Sequence, residues 1–195
     1  GSLGRTKPEK SLSFASFLCA FTTPYGQHSS TSTAPQTSPS TLRTSPDSCV
    51  KKEDIVRFIP KDKLIWEAFK GNGDSAEHLR QLGFEVLCDD EDFFKSQAKG
   101  DIVVTNPPFS KAKAVLERLV ELDMPFIIIL PCFKITTRYA RELFRGKERD
   151  LKVIVPQKRI NFVKPGLLKS KCSFDCFYYC FRNPAMEDLP NLNFA

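Results

Sequence analysis

The chain has 195 residues, of which 41% are hydrophobic and 27% charged. That is the balance of one globular domain with at most an appendage, and it excludes a fibre, a coiled coil and a wholly disordered chain. Its 29 lysines and arginines against 23 acids leave a net charge of +6, which permits a polyanionic partner without requiring one. No run approaches the roughly 18 apolar residues of a membrane span. Seven cysteines, an odd number, in a chain able to build a core read as reduced thiols of an intracellular protein rather than as a disulfide framework.

Composition changes near residue 49. Residues 1–49 hold 19 serines or threonines, five prolines and two acids, too polar and too often interrupted by proline for a core. They are expected to form a flexible or loosely docked arm, with an apolar patch at 14–21 suited to docking. The same composition fits a transit peptide, and Gly1-Ser2 reads as a cloning scar. The folded domain is expected over residues 50–195.

Within it the pattern predicts a short helix over 50–59 stopped by Pro60, a buried strand over 64–69, and a turn at 70–74. A helix over 75–82 follows, capped by Asp74 or Ser75 and stopped by Gly83. Residues 84–88 read as the next strand and 101–105 as a third, ending in Asn106-Pro107-Pro108-Phe109. Residues 111–122 form an amphipathic helix with Ala114, Val115, Leu119, Val120 and Leu122 on its apolar face. A central strand over 126–130, a helix over 136–144 and strands over 151–155 and 173–181 complete the series. Strands alternating with helices mean an α/β fold with a mainly parallel sheet. Such sheets bind ligands outside the carboxyl ends of their strands. The glycine turn and the Asn106–Phe109 turn both follow strands directly, so both are expected on that rim.

Three elements carry chemistry. The first is the run Glu67, Ala68, Phe69, Lys70, Gly71, Asn72, Gly73. Glycines after a strand let the backbone approach a ligand and take positive φ, and the acid suits an ammonium or hydroxyls better than a pyrophosphate. In the second, the acidic cluster after the next strand, Asp90 or, second, Asp89 can accept both hydroxyls of a ribose. Asp92 and Phe93 suit an adenine ring, the carboxylate accepting from its amino group and the ring packing on its face. The third is Asn106-Pro107-Pro108-Phe109. Neither proline can continue a central strand, and Pro107 restricts Asn106 to extended geometry. A rigid turn of this kind can present the Asn106 side-chain oxygen and the Pro107 carbonyl as converging acceptors beside the flat face of Phe109, a clamp for an aromatic amine or a planar amide.

Asn-Pro-Pro-Phe after a strand, with an acidic Gly-x-Gly turn upstream, resembles the amino-group methyltransferases that use S-adenosylmethionine. The resemblance covers residues 44–181, and the stretch from Asp92-Phe93-Phe94 through the Asn-Pro-Pro-Phe turn to the strand ending at Pro131 looks most like small phage- or virus-type adenine methyltransferases. Thr44-Ser45-Pro46 matches a short motif that such enzymes place near the cofactor carboxylate. The resemblance implies a Rossmann-like class I methyltransferase fold, with helices on both faces of a mainly parallel sheet and an antiparallel C-terminal strand. It implies S-adenosylmethionine as cofactor, held by Glu67, Phe69, Gly71, Gly73, Asp89, Asp90, Asp92 and Phe93, and catalysis by Asn106, Pro107, Pro108 and Phe109, with no metal. The implied substrate is the exocyclic amine of a nucleobase, adenine N6 in DNA first. RNA adenine, DNA cytosine N4, a protein glutamine and a non-catalytic nucleic-acid-binding subunit stay open as alternatives. Ala68 stands where that family often has proline. No separate target-recognition domain fits in residues 110–195, which implies weak specificity or a partner subunit.

Two basic groups suit phosphates: Lys134, Arg138, Arg141, Arg145, Lys147 and Arg149, then Lys158, Arg159, Lys164, Lys169 and Lys171. Cys172, Cys176 and Cys180 recur every four residues and read as buried strand residues rather than zinc ligands.

Overall fold

The computed structural model describes residues 55–71, 73–160 and 173–195. The expected arm, Thr44-Ser45-Pro46, the first part of the helix predicted over 50–59, Asn72, Lys164, Lys169, Lys171 and Cys172 lie outside the described residues. Within them run β1 (Ile65–Trp66), α1 (Asp74–Gln81), β2 (Val86–Leu87), β3 (Ile102–Thr105), α2 (Ala112–Glu121), β4 (Phe126–Pro131), α3 (Arg138–Phe144), β5 (Leu151–Val155), β6 (Cys176–Phe181) and β7 (Leu192–Phe194). The strands form one sheet in the order β2-β1-β3-β4-β6-β5-β7. Neighbours are parallel except where β6 lies antiparallel between β4 and β5. This is the Rossmann-like class I arrangement expected, antiparallel late strand included. The edge strand β7 was not foreseen. Three residues carry no periodicity, and β7 is held by backbone bonds to β5, among them Val153 N–H to the Asn191 carbonyl at 2.7 Å.

β3 and β4 are buried along their whole length, as expected for β-branched, apolar strands covered on both faces. Alternate residues point to opposite layers. Ile65, Val104, Ile127, Ile129 and Tyr178 pack with Phe58 and Leu79 of α1 on one face. Trp66, Val103, Phe126, Ile128 and Phe181 pack with Leu116 and Leu119 of α2 and Phe144 of α3 on the other. Cys176 and Cys180 are buried on the first face, the strand reading made for them.

The local differences have physical causes. Residues 56–58 form one 3-10 turn. Helix α1 has Gly73 (φ 89°) at its N-cap position and so no side-chain cap; Asp74 and Ser75, predicted as caps, lie within the helix, and the Ser75 hydroxyl is bonded to Glu67. Gly83 closes it at φ 89°, as predicted. A 3-10 turn over Phe109–Lys111 precedes α2, which buries Ala112, Val115, Leu116 and Leu119, a stripe at i, i+3, i+4 and i+7. Ala114, predicted on that face, is exposed, since it lies off the stripe. Helix α3 begins after Thr137, whose hydroxyl oxygen accepts from Ala140 N–H. Among the described residues no helix is long and apolar enough to cross a membrane.

Register between β1 and β3 is set at their entry. Asp101 N–H donates to the Leu64 carbonyl at 2.8 Å, and the Asp101 carboxylate accepts from Leu64 N–H at 2.8 Å. Gly100 permits this approach at φ 64°, where a Cβ would meet the Leu64 carbonyl oxygen at 2.6 Å. Gly100→Ala is expected to lower the unfolding free energy by about 2 kcal/mol, combining a strained φ with a backbone clash. Urea unfolding measures this as a lower midpoint at unchanged m.

Candidate active site

The strand order reverses between β1 and β3, which opens a crevice outside their carboxyl ends. Glu67 follows β1 directly and is 1% exposed. Its carboxylate accepts from the Ser75 hydroxyl on α1 at 2.5 Å, from the Thr105 hydroxyl at the end of β3, and from Phe69 N–H at 3.2 Å. One side chain thus joins the glycine turn, the first helix and the strand that delivers Asn106. Burial pushes its carboxyl up to about 7, against the lowering effect of these three bonds. Burial raises the neighbouring Cys88 thiol too, with the Glu67 charge adding to it.

Above this carboxylate lies a cavity of about 350 Å³ lined by Phe69, Gly71, Asp90, Phe93, Pro108 and Lys111, among others. All three predicted elements therefore meet there: the glycine turn, the acidic loop and the Asn-Pro-Pro-Phe turn. Phe93 is 3% exposed and forms the floor, its ring 4.9 Å from Phe69 and 5.6 Å from Trp66. Phe94, half-buried, meets Phe93 edge-on at 5.3 Å, with the Lys111 ammonium over it at 5.7 Å. Lys99 holds Asp89 at 2.6 Å and Glu91 at 2.8 Å, and its bond keeps both carboxyls below their usual range. Asp90, more exposed, pairs with Lys70 at 2.7 Å. The Asp92 carboxylate accepts from Phe94 N–H. Gly71 (φ 57°) borders the cavity, whereas Gly73 starts α1. Glu67 supports the turn from behind and does not line the cavity.

Asn106 and Pro107 are buried at the end of β3, while Pro108 and Phe109 are half-buried. The Pro108 carbonyl accepts from Lys111 N–H at 3.0 Å, turning the chain into α2. Phe109 meets Phe174 at 5.9 Å, and Phe174 meets Phe133 at 5.9 Å, both edge-on. Phe174 reaches this rim because β6 runs antiparallel, so the residue preceding it arrives where β4 ends.

Sequence reasoning missed Ser75, Thr105, Lys70, Lys99 and Phe174. Only Lys70, inside the glycine motif, carried a local signal. The basic face predicted on α3 does not converge on the rim: Arg138 pairs with Glu142 at 2.8 Å, and Arg141 and Arg145 line a separate cavity with Leu151 and Val153 at the start of β5.

No family model matches the chain. Over 110 residues, 54% of its length, it is 31% identical to the type II methyltransferase M.EcoRI of Escherichia coli. The resemblance to methyltransferases is borne out. The chain spans about a third of that relative, 33% of its length. Among solved structures it overlaps a dimethyladenosine transferase of Plasmodium falciparum, at 12% identity and a TM-score of 0.41, over 70% of this chain and 63% of that one. It also overlaps the 23S rRNA methyltransferase ErmE, at 14% identity and a TM-score of 0.42, over 68% of each chain. These partial overlaps carry no argument about chemistry.

The raised carboxyl of Glu67 sets a pH signature. Its value moves from 4.5 to about 7 on folding, so folding takes up a proton between those limits. The cost of burying the charge is absent below pH 4.5 and complete above pH 7. Glu67→Gln keeps the shape, can accept from Thr105 and can donate to Ser75. The stability of the wild type relative to this variant is expected to fall by about 3 kcal/mol between about pH 4.5 and pH 8. Urea unfolding across that range reads the difference, and a pH-independent difference would place the carboxyl near its ordinary value.

Proposed function

We propose that the chain binds S-adenosylmethionine in the cavity above Glu67 and methylates the exocyclic amine of a nucleobase, adenine N6 in DNA by first preference. The observation that carries this is the meeting of the glycine turn, the acidic loop and the Asn-Pro-Pro-Phe turn around one cavity, with Glu67 hydrogen-bonded to Thr105 beneath it. The lining fits that cofactor. Its volume lies in the range of small-molecule sites, it offers carboxylates to hydroxyls and to an amino group, and it offers aromatic rings to a purine.

Asp90, with Asp89 second, takes the ribose hydroxyls. Asp92 and Phe93 take the adenine, Phe69 lines the cavity beside Phe93 and Phe94, and Gly71 lets the backbone approach. Glu67 and Gly73 shape the turn. When bound, the cofactor supplies an electrophilic methyl group on a sulfonium. The residues of the turn prepare the nucleophile. An exocyclic amine is a poor one because its lone pair is delocalised into the ring. Asn106 and the Pro107 carbonyl accept its two N–H bonds, which favours a pyramidal nitrogen with its lone pair directed outward. Pro108 holds the turn in extended geometry, φ −63° and ψ 122°. Phe109 stacks on the base, a contact worth about 1–3 kcal/mol. The rate then comes from positioning and oriented dipoles. A target in a duplex must first leave the stack.

Methyl-labelled S-adenosylmethionine, a panel of single- and double-stranded DNA and RNA, and digestion to nucleosides test the proposal. Label is expected in N6-methyladenine, and Asn106→Ala is expected to lose on the order of 10²–10³ in kcat with cofactor affinity retained. Label in N4-methylcytosine keeps the mechanism and changes the base. Label confined to protein redirects the site to a glutamine amide, and no cofactor binding overturns the enzyme.

A further inference from the structure

The rim carries an aromatic side chain that the chemistry at Asn106 leaves unused. Phe133 follows β4 by two residues and is 48% exposed. Apolar side chains exposed singly are ordinary and call for no function. Phe133 differs in how it is held. The hydroxyl of buried Tyr179 on β6 lies 3.0 Å from both the Pro131 and Cys132 carbonyls. Cys132 N–H donates to the Asp175 carbonyl at 2.9 Å, and the Thr136 hydroxyl donates to the Phe133 carbonyl at 2.8 Å. The backbone before the exposed ring is therefore fixed from the core, and the backbone after it by a local turn. The ring also ends a row. It meets Phe174, which meets Phe109, so Phe133 stands no more than about 12 Å from the ring beside Asn106. The Lys134 ammonium lies 5.5 Å from its centroid. A flat apolar ring with a mobile lysine cation over it is what unpaired nucleotides use: the base stacks on the ring and the lysine swings to the phosphate.

We infer that Phe133 is the stacking platform for a nucleobase neighbouring the one held at Asn106, with Lys134 placed for the phosphate between them. The inference rests on the nucleobase reading of the site. It identifies the partner as a strand unpaired for at least two nucleotides, and Phe133 as a residue that binds substrate without touching the reacting atoms.

The test uses the full chain and short single-stranded oligonucleotides, DNA and RNA in parallel, each with one target base. In one series the base on the 5′ or the 3′ side of the target is replaced by an abasic site. For the wild type, removing the base on one side is expected to raise KM roughly ten-fold. Phe133→Ala is expected to raise KM roughly ten-fold on the intact strand and to add nothing on the abasic one, because both changes delete the same contact. Its kcat and cofactor affinity stay at the wild-type level, and Phe133→Trp restores KM. Additive effects of the variant and the abasic site, or no effect of Phe133→Ala, would overturn the inference while leaving the nucleobase reading intact. A wild type that labels no oligonucleotide at all would instead overturn the reading beneath it.

Discussion

A carboxylate taken out of water must be met by donors, or its burial costs several kcal/mol. Glu67 sits where the sheet reverses direction, sealed beneath the crevice, and its donors come from three separate places: Ser75, Thr105 and the Phe69 amide. The turn, the helix and the strand that delivers Asn106 can each shift only by leaving the buried group short of a partner. An apolar residue there would fill the space but would fix none of the three. The rest of the site inherits its geometry from this constraint. Phe69 N–H is held, so its ring lies on Phe93. Thr105 is held, so the next residue, Asn106, leaves β3 in one direction.

The acidic loop shows a graded availability that follows from its lysines. Lys99 is mostly buried and grips both Asp89 and Glu91, so those carboxylates are committed to shaping the loop. The pair of Lys70 with Asp90 is exposed on both sides. Exposed pairs contribute little to stability, and such a pair yields readily to a ligand hydroxyl. Asp90 is therefore the carboxylate that can change partners at small cost. Lys70, one residue before Gly71, lines the same cavity as Asp90.

The large features of the fold were legible because apolar runs and prolines act locally. Three apolar β-branched residues and a threonine before Asn106, and six apolar residues around Ile128, read as covered strands, and two prolines can only end one. The rim location of both turns followed from that. The partners of Glu67 were not legible. Ser75 and Thr105 stand 8 and 38 residues away, and a short hydroxyl carries no sign of which acid it will meet. Phe174 was hidden for a related reason: its place beside Phe109 depends on β6 inserting antiparallel between β4 and β5, a pairing over long range. The face of α2 was misread at Ala114, which lies off the stripe, and at Ala112 and Leu116, which lie on it with Val115 and Leu119; two alanines with the same side chain differ only in phase around the helix.

Direct displacement at an amine demands that two ligands be held in line, and misplacement by an ångström costs orders of magnitude. In this fold the two sides of that line are not independent. Pro108 and Lys111 border the cavity, while Asn106 and Phe109 of the same turn do not line it. The Pro108 carbonyl is bonded to Lys111 N–H, so on the proposed reading one short, proline-stiffened segment separates the cofactor from the base. Behind it, the Thr105 hydroxyl ties that segment to the carboxylate supporting the glycine turn. On the proposed reading, covalent geometry and one buried hydrogen bond, Thr105 to Glu67, set the separation of the two ligand sites. That tie gives a physical reason for a buried, titratable acid where packing alone would have been cheaper: an apolar side chain could not bond the strand to the turn.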